Sequence, residues 1–208
     1  FTRKHHLNFG YYFDTSSYNV SYEFEHADII GDYSAFARIS YTDPSYARNF
    51  YGFGNNTPNF DDQLGRDYNR VRIRDLSFDV GFRKDTKYGS LFEYGLAYDA
   101  IEVNRTENRF IDEVGDELSE NNPAFFENKN YLSIQANYEY ESFDVILNPS
   151  KGMRFNLKAA FTNSLYNTAQ NFVSLNPSVV FFNPLSINKK WVLKTQVQSQ
   201  IRFGDEYE

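Results

Sequence analysis

Several residue types and patterns that mark common functional classes are scarce or missing here. The 208 residues include no cysteine, which excludes a disulfide framework and any thiolate metal site. No run of about eighteen apolar residues occurs, so the sequence predicts no transmembrane helix. Residues 1–13 lack the apolar core of a signal peptide, as expected of a mature or internal piece of a longer protein. The net charge of -7 and the lack of a basic stripe argue against nucleic-acid binding.

Aromatic side chains, in contrast, are abundant. The chain has 21 Phe and 17 Tyr but a single Met and a single Trp, and its hydrophobic fraction is only 41%. A soluble globule of this size normally builds its core from Leu, Ile and Val. Strands that bury only one face need fewer apolar residues. The composition therefore favours an all-β protein, and a membrane barrel in particular.

Strict alternation of apolar and polar residues is the main secondary-structure signal. In residues 152–162, Met153, Phe155 and Leu157 fall on one side, while Arg154, Asn156 and Lys158 fall on the other. Several such segments reach the roughly nine to eleven residues with which a tilted strand crosses a bilayer. The pattern predicts nine strands, at residues 5–13, 18–25, 33–42, 71–83, 88–102, 130–141, 152–162, 171–182 and 190–203.

The connections between these strands are of two kinds. Tight connections are predicted at 84–87, 142–151 and 183–189, and long ones at 43–67 and 103–129. In an antiparallel meander, alternate connections lie at the same end, so short turns form one rim and long loops the other, although 14–17 and 163–170 are modest for the long-loop rim. The predicted fold is an all-β, antiparallel transmembrane β-barrel of outer-membrane type, with residues 1–208 in a single domain.

The alternation also predicts which side chains meet lipid and which meet the lumen. We expect Tyr and Phe near the strand ends to form interfacial girdles. The predicted lipid-facing residues are Leu76, Phe78, Val80, Phe82, Met153, Phe155, Leu157 and Phe161. The predicted lumen-facing residues are Asp79, Glu93, Asp99, Glu139, Arg154, Lys158 and Arg202.

One turn combines local turn chemistry with a resemblance to a known family. Asn148, Pro149 and Gly152 are residues that tight turns require. The stretch "DVILNPSKGMRFNL", residues 144–157, followed by residues 173–208, resembles the bacterial surface-antigen superfamily of outer-membrane barrels, which includes the BamA-like and TamA-like assembly factors. In that family an N-P-x-x-G turn opens a strand, and a strand ending in a Pro-Leu pair follows.

The resemblance implies a barrel of about sixteen strands, of which this chain supplies about nine as an internal fragment. Two departures from the family pattern limit what is carried over. The family's Gly-Gly and Val-Arg-Gly-aromatic loop tip would lie beyond Glu208, and residues 71–74 do not match it. Transport-associated repeats are also absent from these residues.

A second stretch resembles a subset of that superfamily. Residues 49–62, "NFYGFGNNTPNFDD", are similar to a segment of members whose barrel is fused to a patatin-like phospholipase or a metallophosphatase. This resemblance implies a barrel that anchors a hydrolase domain.

Four groups of polar residues are candidates for ligand binding or catalysis. Arg70, Arg72 and Arg74 could meet lipopolysaccharide phosphates, but a strand extended above the bilayer is favoured. Residues 112–120, "DEVGDELSE", could hold a divalent cation, but a solvated acidic loop is favoured. The three histidines, His5, His6 and His26, lack metal-ligand spacing. The lumen-facing charges favour a structural network over paired catalytic carboxylates.

We therefore expect no catalytic, cofactor-binding or metal-binding residues and no enzymatic activity in these residues. The expected location is the outer membrane of a Gram-negative bacterium. The expected function, from the family resemblance, is outer-membrane protein assembly or translocation. Expected partners are outer-membrane lipid, lipopolysaccharide, nascent outer-membrane proteins and accessory lipoproteins.

Three alternatives stay open. The barrel could anchor an N-terminal hydrolase, as the second resemblance implies. It could be a channel or porin, which Gln196, Gln198 and Gln200 would suit. A soluble β-sandwich would instead place Phe78, Phe155 and Phe161 against a protein core.

Overall fold

The structure is a computed structural model that describes residues 2–13, 16–45, 48–52, 61–65, 67–86, 89–165, 171–188 and 190–204. Strands dominate it, and they follow the segments of alternating polarity. The strands are β1 Arg3–Tyr12, β2 Ser17–Ile30, β3 Tyr33–Ser45, β4 Arg72–Asp85, β5 Ser90–Asn104, β6 Lys129–Phe143, β7 Gly152–Ser164, β8 Asn171–Pro184, β9 Val192–Gln198 and β10 Ile201–Gly204.

All ten strands belong to one antiparallel sheet. Strands β1 to β8 pair in chain order, and β9 and β10 both pair with the free side of β8. The sheet is not closed. The prediction of an all-β antiparallel meander is thus confirmed, whereas the barrel stays a prediction. Within the described ranges no helix is long and apolar enough to span a membrane.

The last predicted strand, residues 190–203, is wrong in one respect, because the structure divides it into β9 and β10. Both pieces keep one register against β8, with Gln198 opposite Ser178 and Ile201 opposite Leu175. Between them, Pro177 accepts a hydrogen bond from the Ser199 N–H at 3.0 Å. Because proline has no N–H, it cannot return a bond to Ser199. One missing donor therefore interrupts the ladder.

The connections separate into the two predicted rims. Residues 31–32, 86–89, 144–151 and 185–191 connect strands at one end, which we call the short-turn rim. The connections 46–71 and 105–128 lie at the other end, the long-loop rim, and contain three short helices. These are α1 Asp61–Leu64, α2 Phe110–Glu113 and α3 Gly115–Asn121.

The register divides the sheet into two chemically different faces. Phe78 lies opposite Tyr98, Leu96 opposite Ile134, and Ile134 opposite Phe161, so these residues share one side, the apolar face. The same face carries Leu76, Val80, Phe82, Met153, Phe155 and Leu157. The opposite side, the polar face, carries Asp79, Glu93, Asp99, Glu139, Arg154, Lys158 and Arg202. Each set predicted from the sequence thus falls on a single face.

Candidate functional site

The apolar face is open over its central strands. Ile134 is 63% exposed and Leu96 is 48% exposed, and Phe78 and Phe161 are also exposed. Small and polar residues on the polar face are buried instead: Ser133 is 6% exposed and forms a 2.8 Å hydrogen bond with Thr162. The usual arrangement of a soluble protein is therefore inverted. The protein core that a β-sandwich would place over Phe78 and Phe161 is not formed by the described residues.

A network of charged side chains spans the polar face. The Arg38 guanidinium on β3 donates to Glu23 on β2 at 3.2 Å and to Glu93 on β5 at 2.9 Å. Gln135 on β6 donates to Asp79 on β4 at 2.8 Å. The Arg38–Glu93 and Gln135–Asp79 contacts each cross an intervening strand.

Small residues make these crossings possible. Gly81 and Gly95 lie opposite each other, and a Cβ added to either would overlap the backbone of the neighbouring strand. Ala97 lies between Asp79 and Ser133 in the register. Because these positions hold no large side chain, Arg38 and Gln135 reach across β4 and β5.

A cavity of about 280 Å³ lies on the polar face beside this network. Its polar lining consists of Arg38, Asp79, Glu93, Gln135, Asn137, Lys158 and Asn176. Arg38 donates to Glu93 and Gln135 donates to Asp79, so both carboxylates are hydrogen-bonded within the network. Lys158 is exposed and forms no ion pair with any described residue. The arrangement fits a structural network around a water-accessible groove.

The turn that carries the family resemblance is organised by a residue that the sequence reasoning missed. The Asp144 carboxylate accepts hydrogen bonds from the backbone N–H groups of Val145, Ser150 and Lys151 at 3.1, 2.9 and 3.0 Å, and from the Ser150 hydroxyl. Asn148 and Pro149 lie within the loop that these bonds close. A single side chain thus holds the 144–151 connection in shape.

Gly152 ends this turn and opens β7. Its φ of +129° is open to glycine but strained for other residues, and an added Cβ would overlap the carbonyl oxygen of Ser142. Phe143 and Phe182 flank Gly152 in the register, and their rings meet edge to face at 5.4 Å between centroids. The glycine leaves the space in which β6 and β8 contact each other across β7.

The two long loops fold together into a cap at the long-loop rim. We call this unit, residues 48–52, 67–71 and 105–128, the loop cap. Backbone bonds join its parts, including Phe50 N–H to Asn69 C=O at 2.8 Å and Phe110 N–H to Tyr68 C=O at 3.0 Å. The Arg109 side chain donates to the Arg70 carbonyl at 2.9 Å.

A small hydrophobic core stabilises the loop cap. Val71, Ile73, Ile111 and Leu118 are buried together, with partly buried aromatic residues around them. Ile73 lies opposite Val103, at positions that continue the polar face. The cap therefore packs over the end of the polar face, where that face becomes apolar.

The acidic stretch 112–120 belongs to this cap, and most of it lies in α2 and α3 instead of the loop that we expected, although Glu113, Asp116, Glu117 and Glu120 are exposed. Arg105 contacts Asp112 and Asp116, each at 2.7 Å. Among the described residues, no group of three or more histidine and acidic side chains could hold a metal ion. Burial, together with a hydrogen bond to Glu113, raises the pKa of Tyr68 to about 12.

Two of the arginines at the long-loop rim, Arg70 and Arg74, are engaged by carboxylates. Arg74 contacts Asp43 at 3.1 Å and Glu102 at 2.9 Å, and Arg70 contacts Asp67 at 2.9 Å. Arg72 and Arg74 occupy positions that continue the apolar face toward the rim. These pairs mark where that face becomes charged.

Other predicted features are dispersed or not described. His5 contacts the Tyr22 hydroxyl at 2.8 Å, and His6 contacts Asn8 at 3.1 Å. Of the 49–62 stretch that resembles enzyme-fused barrels, residues 53–60 lie outside the described residues.

No family model matches this chain, and no curated protein matches it.

Proposed function

We propose that this sheet forms part of the wall of an outer-membrane β-barrel in a Gram-negative bacterium. The observation that carries the proposal is the inverted burial: large side chains such as Ile134 and Leu96 are exposed on one face, while Ser133 and Thr162 are buried on the other. In this proposal the apolar face meets lipid and the polar face lines the lumen. Lipid stabilises such a face, because exposing it to water is unfavourable.

The length of the apolar stripe agrees with a bilayer. On β4 the apolar face begins after Arg74 and ends before Lys84, with Leu76, Phe78, Val80 and Phe82 between them. Arg74 and Lys84, the charged residues that bound this stripe, lie ten residue steps apart, about 34 Å along an antiparallel strand. At the tilt of outer-membrane strands this length projects to about 25 Å, the height of the apolar band of such barrels.

The edges of the sheet require further strands in this proposal. The outer sides of β1, β9 and β10 have no strand partner within the described part of the chain. Unpaired edges are unfavourable in hydrocarbon, so the barrel closes through additional strands, about sixteen in total by the family resemblance.

Within this class, we propose a role in the assembly or translocation of outer-membrane proteins, as a member of the surface-antigen superfamily. Two details support this assignment: β7 opens at Gly152 of the Asn148-Pro149 turn, and β8 ends at Pro184, directly before Leu185. Both follow the strand pattern that the resemblance implies. Assembly would proceed without a cofactor, by adding client strands at a seam between strand edges of the barrel.

Membrane fractionation and electrophoresis test the barrel. The protein should be recovered with the outer membrane, and unboiled samples folded in detergent should migrate differently from boiled ones. Depleting the protein from cells should then lower the amounts of other outer-membrane barrels. Recovery in the aqueous fraction, with mobility unaffected by boiling, would contradict the barrel.

A hydrolase anchor is the second candidate, and the loop cap is the observation that favours it over an open channel. The cap packs over the end of the polar face and so obstructs one mouth of the proposed lumen. An anchor predicts that depletion leaves other barrels unchanged, and that deleting this sheet releases a hydrolase domain of the same polypeptide from the membrane. A role in assembly predicts instead that depletion lowers the amounts of other outer-membrane barrels.

A further inference from the structure

The short-turn rim exposes apolar side chains on three of its connections. On the 144–151 connection, Leu147 is 96% exposed and Ile146 is also exposed. Ile187 and Trp191 are exposed on the 185–191 connection, and Trp191 is 73% exposed. Ile29 and Ile30 are exposed next to the β2–β3 turn. The loop cap at the opposite rim packs Val71, Ile111 and Leu118 into its own core, so such exposure is not general to the connections.

These apolar tips continue the apolar face. The Leu185 N–H donates to the Trp191 carbonyl at 2.8 Å, which extends the β8–β9 register by one pair. In that register Leu185 and Trp191 fall on the side of Leu193 and Val197. Ile30 pairs with Tyr33, and Tyr33 lies on the same face of β3 as Ala35 and Ile39, which is the apolar face. Trp191 and Ile30 therefore continue the apolar face at the short-turn rim.

The charges beside these tips differ between the connections. Lysines lie on the 144–151 and 185–191 connections, whereas Asp28 and Asp32 flank Ile29 and Ile30 at the β2–β3 turn. From Val145 to Gly204 the sequence contains seven Lys and Arg residues and no Asp or Glu. Lys151 and Lys190 lie exposed on the two connections that also carry Leu147 and Trp191. The nearest preceding acid, Asp144, is bound by the N–H groups of its own turn. Cationic side chains next to apolar tips suit a layer of phosphate groups above hydrocarbon.

We propose that the short-turn rim is embedded in the phospholipid interface, with Trp191, Ile187, Ile146 and Leu147 inserted below the phosphates and with Lys151 and Lys190 bound to them. The inference rests on the proposed membrane location and adds the lipid partner of this rim. Tryptophan suits this depth because its ring is apolar and its N–H is polar. The 144–151 and 185–191 tips lie about two strand spacings apart, roughly 10 Å, so one bilayer surface can contact both.

Trp191 is the single tryptophan of the chain, so its fluorescence reports on this rim directly. The protein is inserted into phosphatidylcholine vesicles with and without phosphatidylglycerol, and heat-dependent mobility establishes insertion independently. We expect strong quenching by lipids that carry a quencher near the headgroup, weaker quenching by lipids labelled near the chain end, and little quenching by aqueous acrylamide.

A tryptophan at a second position shows how weak quenching is when a side chain is covered by the protein itself. In the Trp191→Phe background, Phe125→Trp places a tryptophan beside the core of the loop cap, where neither lipid-borne nor aqueous quenchers should reach it efficiently.

The lysines are tested with Lys190→Gln and Lys151→Gln. Each should lower the preference for phosphatidylglycerol vesicles about fivefold, the effect of one cation near an anionic surface.

The outcomes separate this inference from the proposal on which it rests. Inserted protein whose Trp191 is quenched by acrylamide and not by lipid would overturn the rim assignment and leave the barrel standing. Inserted protein in which both probes are blocked would also overturn it, because a protein partner or second copy would then cover the rim. Protein that never inserts would overturn both.

Discussion

At the scale of single residues, Gly152 holds a backbone conformation that other residues rarely adopt. We predict that Gly152→Ala lowers the free energy of unfolding by at least about 2 kcal/mol, because strained backbone and overlap with Ser142 act together. Gly31→Ala is the matched control, since Gly31 has a φ of +60° but open space around its Cα, and should cost about 1 kcal/mol. Urea titration of the protein folded in detergent measures both. Equal costs would contradict the steric role.

The charge network on the polar face supplies a second prediction at this scale. The Arg38 and Glu93 side chains are 33% and 14% exposed, and their contact is 2.9 Å long. A double-mutant cycle with Arg38→Gln and Glu93→Gln should give a coupling free energy of about 1–2 kcal/mol, reduced from the value of fully buried pairs by partial exposure. Lys4 and Glu25, at 3.5 Å with Lys4 well exposed, should couple by less than about 0.5 kcal/mol. A larger coupling free energy for Lys4 and Glu25 than for Arg38 and Glu93 would contradict the predicted effect of burial.

Which residues share a face could be predicted from the sequence, because a strand alternates sides at every residue. Phe155 and Lys158 were placed correctly relative to each other for this reason. The role of Asp144 could not be predicted in the same way, since its bonds to Ser150 and Lys151 follow from turn geometry and not from periodicity. The contact of Phe143 with Phe182 depends on register across three strands, which alternation alone does not specify.

At the scale of elements, the break between β9 and β10 depends on one absent N–H. Pro177→Ala supplies a donor to the Ser199 carbonyl, and we predict a continuous strand over residues 192–204. The new amide at position 177 should be protected from hydrogen exchange to the same degree as its neighbours in β8. Overall stability should change little, because one hydrogen bond contributes about 1 kcal/mol and the lost proline increases unfolded-state entropy by a similar amount. Rapid exchange at position 177 would contradict this explanation of the break.

The loop cap should respond to alkaline pH through Tyr68. Burial raises the pKa of Tyr68 to about 12 in the folded cap, so its contribution to stability is complete below its unfolded pKa of 10. This contribution is lost as pH rises from 10 toward 12. Ultraviolet titration should show a late-ionising tyrosine that Tyr68→Phe removes, and the cap should become protease-sensitive over the same range. Ionisation of Tyr68 near pH 10 with the cap intact would contradict its burial.

The loop cap was also the element least accessible to sequence reasoning. Its core joins residues from two connections, and Arg109 reaches Arg70 across 39 positions of the sequence. Periodicity reports on neighbours within one strand and carries no information about such contacts. The charges of residues 112–120 predict a solvated loop. The sequence pattern does not show that Leu118, within this stretch, is buried.

At the scale of the whole molecule, the account depends on the environment of the two faces. In the proposed barrel, lipid on one side and water on the other would account for a sheet whose Ile134 and Leu96 are exposed while Ser133 is buried. Composition and alternation predicted this arrangement, since 41% hydrophobic residues suffice to cover one face of each strand. The number of closing strands could not be predicted from these residues, because closure depends on strand number and stagger over the whole barrel.

Cysteine scanning along β6 tests this central claim most directly, and the natural chain has no cysteine to remove. Spin labels placed singly at residues 132–140 in the vesicle-inserted protein are exposed to oxygen, which partitions into lipid, and to a water-soluble paramagnetic complex. We predict a period of two, with lipid exposure at Leu132, Ile134, Ala136, Tyr138 and Tyr140 and water access at Gln135, Asn137 and Glu139, while the buried Ser133 should be poorly accessible to both probes. The opposite phase, or shielding of the even positions from both probes, would contradict a lipid-facing sheet.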